Sequence, residues 1–149
     1  MSRVTDTLYS RDILRLAASI PCQSLLETPM ARVEKTSPIC GSRVTVDVVT
    51  DQEGRVRDFG QDVKACALGQ ASASLMGAHI VGRSAWEIRQ ARDALASYLI
   101  GGQDQPGDWP GLSVFAHARR FSARHASILL AFEAAAEAAS LAAADRPHP

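Results

Sequence analysis

The sequence predicts an α+β fold in which a three-stranded antiparallel sheet packs against several helices. Two β-rich runs, 43–50 and 55–63, flank the turn signal Asp51-Gln52-Glu53-Gly54, which is the pattern of a β-hairpin. A short β-rich run at 31–37 extends this hairpin into a three-stranded meander. From Cys66 onward, apolar and small residues recur at helical spacing between glycine and proline interruptions.

Length and composition fit a globular protein of ordinary type. The chain has 149 residues, 46% of them apolar and 21% charged, so we expect one domain over 1–149 with a sizeable core. Its 16 basic and 16 acidic residues give a net charge of zero, which provides no electrostatic reason to expect nucleic acid or an anionic membrane as partner. No run approaches the roughly 18 apolar residues of a membrane span.

Cysteine usage indicates the cellular compartment. The three cysteines are an odd number without the spacing of a disulfide framework, and the charged N-terminal segment does not resemble a secretory signal. We therefore expect a cytoplasmic protein with free or metal-bound thiols.

The first half of the chain gives two further local predictions. Thr5 or Asp6 is expected to cap a first helix that Pro21 ends. In the run 43–50, alternating side chains predict one buried face and one face mostly in contact with solvent. The predicted buried residues are Val44, Val46 and Val48, and the opposite face carries Thr45, Asp47 and Val49.

The second half is predicted to be helical. A helix of small residues begins at Cys66 and ends at Gly82. The next helix begins at a capping box, Ser84-Ala85-Trp86-Glu87, and ends at Gly101-Gly102. A loop follows over 103–111. The last helical region covers 112–144 and is expected to be broken near 118–122.

The residues best suited to bind a metal or to react are two cysteines and one histidine. Because the strands of a hairpin run antiparallel, Cys40 and Cys66 are expected at the same end of it. Cys66 lies at a helix start, where the helix dipole favours thiolate over thiol, and Cys40 precedes a turn glycine, Gly41. His125 lies near the start of the last helix. Thiolate and imidazole together suit zinc and iron–sulfur clusters.

Each of these residues also has a purely structural explanation. A lone cysteine on an apolar helix commonly serves as a small packing residue, and a lone histidine is commonly a hydrogen-bonded core residue. The sequence contains no Cys-x-x-Cys pair and offers no obvious fourth ligand. Cys22, just after Pro21, is expected to be a bystander, although it could complete a metal site.

Two motifs resemble the U-type iron–sulfur cluster scaffolds, the family of IscU, SufU and the NifU N-terminal domain. The segment Ser37-Pro38-Ile39-Cys40-Gly41-Ser42 is similar to the family's Asn-Pro-x-Cys-Gly-Asp, and Cys66 opens a helix rich in serine and alanine as the second family cysteine does. The segment 119–126 resembles the SufU branch ahead of its third cysteine. The resemblance covers nearly the whole chain and implies a SufE/NifU-like fold.

The resemblance also implies a site. Cys40 and Cys66 stand at family ligand positions, and His125 stands where IscU has a ligating or site-lining histidine. The family's aspartate after Cys-Gly is Ser42 here, which would line the site, and its third cysteine is Ala126. A methyl group cannot bind a metal, and a hydroxyl is a poorer ligand than a carboxylate.

Three functions remain open. The first is a scaffold-like protein that holds zinc or a [2Fe–2S] cluster through Cys40, Cys66 and His125. Its expected partner is a cysteine desulfurase, and iron–sulfur carrier or recipient proteins are further candidate partners. The second is a degenerate homologue that binds the assembly machinery without building clusters. The third is a thiol-based sulfurtransferase, which we rank last because no carboxylate at useful spacing supports His125 as a base. We expect a protein that is not an enzyme.

Overall fold

The computed structural model describes residues 10–38 and 41–144. Helix α1 spans Arg11–Ala17 and is followed by strands β1 (Ala31–Thr36), β2 (Arg43–Thr50) and β3 (Val56–Lys64). Helices α2 (Ala67–His79) and α3 (Ala85–Leu99) come next. Two 3₁₀ segments, Leu112–Arg120 and Ser122–Arg124, lead into the long helix α4 (His125–Ala144).

The three strands form one antiparallel sheet in the order β1-β2-β3, so the predicted α+β meander is confirmed. Alternation along the central strand buries Val44, Val46 and Val48 on one face. Helix α4 packs on β1 and β2 at this face, and α2 and α3 pack in turn on α4. The inner face of the sheet and the helices therefore share one core.

Helix α4 is apolar enough to raise the question of a membrane. Residues Ser122–Ala144 are long and apolar enough to cross one, yet 61% of the most apolar window is buried inside the protein. Its buried residues face β1, β2, α2 and α3. We therefore assign it as the core helix of the domain.

The predicted helix boundaries are largely confirmed. Cys66 is the N-cap of α2, and both hydrogen bonds of the capping box between Ser84 and Glu87 begin α3. The last helical region is broken at Phe121, within the predicted 118–122, and its first part is 3₁₀ rather than α-helical. Trp109 in the preceding loop is buried and donates a hydrogen bond to the carbonyl of Leu75 (2.9 Å).

Two local predictions need correction. The first described helix is capped by Ser10, whose hydroxyl accepts from the amide of Ile13, and it ends at Ala17, before Pro21. Thr5 and Asp6 lie outside the described residues. The outer face of β2 is also not mostly solvent-facing, because the segment 21–26 covers it and leaves Asp47 fully buried.

Candidate functional site

The strand register brings two loops to one end of the sheet. Thr36 pairs with Arg43, and Arg43 pairs with Lys64, so the β1–β2 loop and the residues just after β3 leave the sheet together. The β1–β2 loop contains position 40, and Cys66 follows β3 by two residues. Cys40 itself lies outside the described residues, and its position relative to Cys66 stays a prediction.

The described parts of the β1–β2 loop are held by backbone hydrogen bonds. The amide of Ser37 donates to the carbonyl of Ser42 (2.8 Å), and the amide of Gly41 donates to the carbonyl of Ser37 (2.8 Å). Gly41 has φ +71°, a left-handed conformation that glycine adopts without strain. The chain on both sides of position 40 is therefore fixed to the end of the sheet.

Cys66 presents a free thiol at the start of α2. It is the N-cap residue, its carbonyl accepts the first helical hydrogen bond from the amide of Gln70 (2.9 Å), and its side chain makes no capping bond. The residue is half-buried, so the sulfur is neither sealed in the core nor fully exposed. A thiol at a helix N-terminus is well suited to bind a soft metal as a thiolate.

Ser127 joins Cys66 to the β1–β2 loop. Its hydroxyl oxygen lies 3.0 Å from the Oγ of Ser42 and 3.4 Å from the Sγ of Cys66. Both serines are buried, with exposed fractions of 1% for Ser127 and 3% for Ser42. One hydroxyl on α4 thus contacts both of the predicted site residues that the structure describes at the end of the sheet.

The absence of a side chain at Gly69 allows this close approach. A Cβ at Gly69 would lie 2.7 Å from the Cβ of Ala65 and 3.3 Å from both the carbonyl oxygen and the Oγ of Ser127. The first turn of α2 therefore packs directly on the start of α4. This contact places the Cys66 sulfur beside Ser127.

Ser37 adds a third buried hydroxyl. It is 2% exposed, and its Oγ has no hydrogen-bond partner in the described part of the chain. The backbone bond between Ser37 and Ser42 places the two residues opposite each other where β1 and β2 meet the loop. We call Ser37, Ser42 and Ser127 the serine cluster. It contributes hydroxyl groups, with spare hydrogen-bonding capacity at Ser37, beside a free thiol.

His125 is held by a different contact. It is 9% exposed, and its Nε2 lies 3.0 Å from the carbonyl oxygen of Ala118. A carbonyl only accepts, so Nε2 donates in this bond, and in a neutral ring Nδ1 would carry the free electron pair. His125 also lines a cavity of about 400 Å³ together with Arg119, Arg120 and Ser122.

The structure thus brings together only part of the predicted site. Ser42 and Cys66 both contact Ser127, whereas among the described residues the His125 ring is hydrogen-bonded to the carbonyl of Ala118. Over residues 10–38 and 41–144, no three His, Cys, Asp or Glu side chains form a group able to hold a metal ion. The ligand set that includes Cys40 and His125 stays a prediction.

Cys22 lies away from this end of the sheet. It is exposed, adopts φ 56°, and its carbonyl accepts from the amide of Gln61 in the middle of β3. Gln61 lies three residues before the strand end at Lys64, a span of about 10 Å along a β-strand. The role of Cys22 as a bystander stays a prediction.

Sequence reasoning missed Ser127 and Ser37. Ser127 directly follows the His125-Ala126 pair, and it is a polar residue in an otherwise apolar stretch of α4. A buried hydroxyl beside two predicted site positions is the signal that points to it. Ser37 has a weaker signal, because a serine before a proline is common in ordinary turns.

Comparisons with known proteins agree with the family resemblance found in the sequence. No family model matches the sequence. The iron–sulfur cluster assembly scaffold protein IscU of Thermotoga maritima is 26% identical over 135 residues, which cover 91% of this chain and 94% of that protein.

Solved structures match over nearly the whole chain. A crystal structure of a nitrogen-fixing NifU-like protein (N-terminal) from Brucella abortus has a TM-score of 0.86 and 35% identity, and the match covers 97% of this chain and 100% of that one. SufU from Fervidobacterium islandicum, described as a cluster assembly scaffold of the SUF system, has a TM-score of 0.82 at 19% identity over 91% and 98% of the two chains. The SufU likeness bears on the fold alone.

Proposed function

The chain belongs to the U-type iron–sulfur cluster scaffold family, alongside the NifU-like N-terminal domain, and we propose that it holds a metal ion or a labile iron–sulfur cluster during cluster assembly. The observation that carries the proposal is the meeting of the β1–β2 loop and the Cys66 turn at one end of the sheet. That meeting supports a location for the scaffold role at this end of the sheet. The role is that of a carrier of cargo, without a catalytic residue.

The ligands we propose are Cys40, Cys66 and His125, with Ser42 lining the site. The donor chemistry fits the cargo. The free thiol of Cys66 and the buried hydroxyls of Ser42 and Ser127 lie together beside the β1–β2 loop, which carries Cys40. The Ser37 hydroxyl without a partner is a further hydrogen-bond donor available at this end of the sheet. Thiolates select zinc and iron–sulfur clusters over hard cations such as Mg²⁺.

The contact between His125 and Ala118 is compatible with a ligand role. Histidines that bind metals commonly donate their second ring N–H to a backbone carbonyl, which fixes the ring orientation. In His125 that donor is Nε2, so Nδ1 would be the ligating atom. Loop 37–42 and the start of α4 are already joined through Ser42 and Ser127.

The replaced family positions suggest loose binding of the cargo. Ser42 and Ala126 stand where the family has a carboxylate and a thiolate, so the site offers two fewer anionic ligands. Fewer anionic ligands neutralise less of the charge of the metal, which weakens its retention. We propose that the chain carries zinc or a [2Fe–2S] cluster that exchanges readily, and that a cysteine desulfurase supplies the sulfur.

A second candidate function rests on the same two replacements. A homologue without the carboxylate and the third thiol could bind the desulfurase and regulate assembly without holding a cluster. This adaptor function predicts an intact fold with no metal uptake, whereas the scaffold function predicts uptake that depends on the cysteines.

Zinc titration of the purified chain tests the proposal. We expect Cys40→Ser and Cys66→Ser each to reduce zinc affinity, and the matched variant Cys22→Ser to leave it unchanged. Ala126→Cys restores the family thiol and should raise the metal content of protein purified without added metal. Equal zinc binding by the parent, Cys40→Ser and Cys66→Ser would show that the proposed site does not exist.

A further inference from the structure

The hydroxyl of Ser127 lies between two groups that differ in what they can donate. Its Oγ is within hydrogen-bond distance of the Ser42 hydroxyl (3.0 Å) and the Cys66 sulfur (3.4 Å). In the metal-free chain, either partner of each contact can supply the proton. When Cys66 binds a metal, its sulfur is a thiolate and has no proton to give.

The direction of the hydrogen bond between Ser127 and Cys66 is then fixed. With a thiolate at Cys66, the contact of 3.4 Å is a hydrogen bond only if Ser127 donates its single hydroxyl proton. The Oγ of Ser127 can still accept, and the Ser42 hydroxyl is placed to donate to it. The resulting chain of donors runs from Ser42 to Ser127 to the sulfur of Cys66.

We propose that Ser127 is a positioning residue of the site, which orients the Cys66 sulfur and donates a hydrogen bond to it when the sulfur binds metal. The inference rests on the proposed function. A hydrogen bond to a ligating sulfur draws electron density from it and fixes its direction, which alters both affinity and electronic properties of the site. Burial strengthens the effect, because Ser127 is 1% exposed and water competes little for its proton.

Packing supports the same role. Gly69 lets α2 approach the backbone and hydroxyl of Ser127, so the relative position of the Cys66 turn and α4 is set by direct contact. Ser72, which lies about one turn after Gly69 on α2, is the matched control for Ser127. Its buried hydroxyl donates to the carbonyl of Ile128 across the same helix interface without contacting Cys66.

Cobalt(II) provides a spectroscopic test, because it replaces zinc and reports thiolate ligation through a sulfur-to-metal charge-transfer band. Removing a hydrogen bond raises the energy of the sulfur electron pairs, so the band should move to longer wavelength in Ser127→Ala. The same variant should bind cobalt about 10-fold more weakly in competition with a chelator. Ser42→Ala keeps the Ser127 hydroxyl and should show a smaller change in the same direction.

The controls separate positioning from general packing. Ser72→Ala removes a buried hydroxyl from the same interface and should leave the band position and the affinity unchanged. An unmoved band in Ser127→Ala, or an equal shift in Ser72→Ala, would overturn the inference and leave the metal site standing. A parent chain with no charge-transfer band would overturn the metal site and the role of Ser127 together.

Discussion

Buried polar groups lie at two places on strand β2, one on its outer face and one at its start. The two places differ in their hydrogen bonding. On the outer face, the fully buried carboxylate of Asp47 accepts hydrogen bonds from Arg32 Nε (2.7 Å), Arg32 Nη2 (2.8 Å) and the amide of Leu26 (2.9 Å). At the strand start, Ser127 of the serine cluster contacts a free thiol, and the hydroxyl of Ser37 has no partner in the described part of the chain.

The two places differ in how far their hydrogen-bonding capacity is met. A buried charge is tolerated where its hydrogen-bonding capacity is met, as it is at Asp47, which ties the segment 21–26 to the sheet. At Ser37, by contrast, the buried hydroxyl keeps its hydrogen-bonding capacity unused within the described part of the chain. We therefore expect substitutions at Asp47 to change stability and substitutions in the serine cluster to change metal retention.

The largest expected effect on stability is at Asp47. Asp47→Ala removes three charge-assisted hydrogen bonds and should lower the free energy of unfolding by about 3 kcal/mol, measured by urea denaturation. Asp58→Ala is the control, because its ion pair with Arg57 is exposed and should cost less than about 0.5 kcal/mol. Similar losses of stability in Asp47→Ala and Asp58→Ala would contradict the structural role of the buried Asp47 carboxylate.

The contact between α2 and α4 gives the next effect. Gly69→Ala should destabilise the chain by about 2 kcal/mol, since the added Cβ would lie 2.7 Å from that of Ala65. A glycine-to-alanine change inside a helix normally stabilises by about 1 kcal/mol, so the expected sign is reversed. Thermal and urea unfolding measure it, and Gln70→Ala, at the neighbouring position, controls for helix propensity. A stabilised Gly69→Ala chain would contradict the close contact.

Ser37 provides a test of opposite sign. Ser37→Ala removes a buried hydroxyl without a partner, so it should stabilise the metal-free chain by about 1 kcal/mol. Ser72→Ala should destabilise it by a similar amount, because the Ser72 hydroxyl donates to the carbonyl of Ile128. Urea unfolding of both variants and the parent gives the comparison. A loss of stability in Ser37→Ala would mean that its hydroxyl is already satisfied.

The smallest effect is a pH dependence at Glu87. The hydrogen bond from Arg55 lowers the pKa of Glu87 below its usual 4.5, so the ionised form stabilises the folded chain. This contribution is complete above pH 4.5 and is lost as the pH falls through the lower pKa of the folded state.

Glu87→Gln tests this sign. The variant should be less stable than the parent by about 0.5 kcal/mol near pH 7, because the ion pairs of Glu87 are partly exposed. The difference should shrink as the pH is lowered below 4.5, followed by urea unfolding at each pH. A difference that grows on acidification would contradict the assigned direction of the pKa.

Local patterns predicted much of the fold. Alternating valines located β2, the turn at 51–54 paired it with β3, and Ser84 with Glu87 marked the start of α3. These signals depend on neighbours within a few residues. The solvent-facing prediction for Asp47 failed because its cover comes from Leu26, 21 residues away in sequence.

The candidate site positions came from the hairpin, the helix starts and the resemblance to a family, whereas Ser127 did not. These positions are Cys40, Cys66, His125 and Ser42. The hydrogen bonds of Ser127 join residues separated by 85 and 61 positions, and no periodicity within one element reports such contacts. They depend on the strand register and on the packing allowed by Gly69. Serine is also common at helix ends and in turns, so its presence alone does not mark a site.

Anaerobic reconstitution with iron, sulfide and reductant tests the central claim, that cargo is held at the end of the sheet where Cys66 meets the β1–β2 loop. We predict equimolar iron and acid-labile sulfide on the parent chain and on Cys22→Ser, and their loss from Cys66→Ser. A parent chain that takes up neither a cluster nor zinc, or a Cys66→Ser chain that retains as much iron and sulfide as the parent, would contradict the claim.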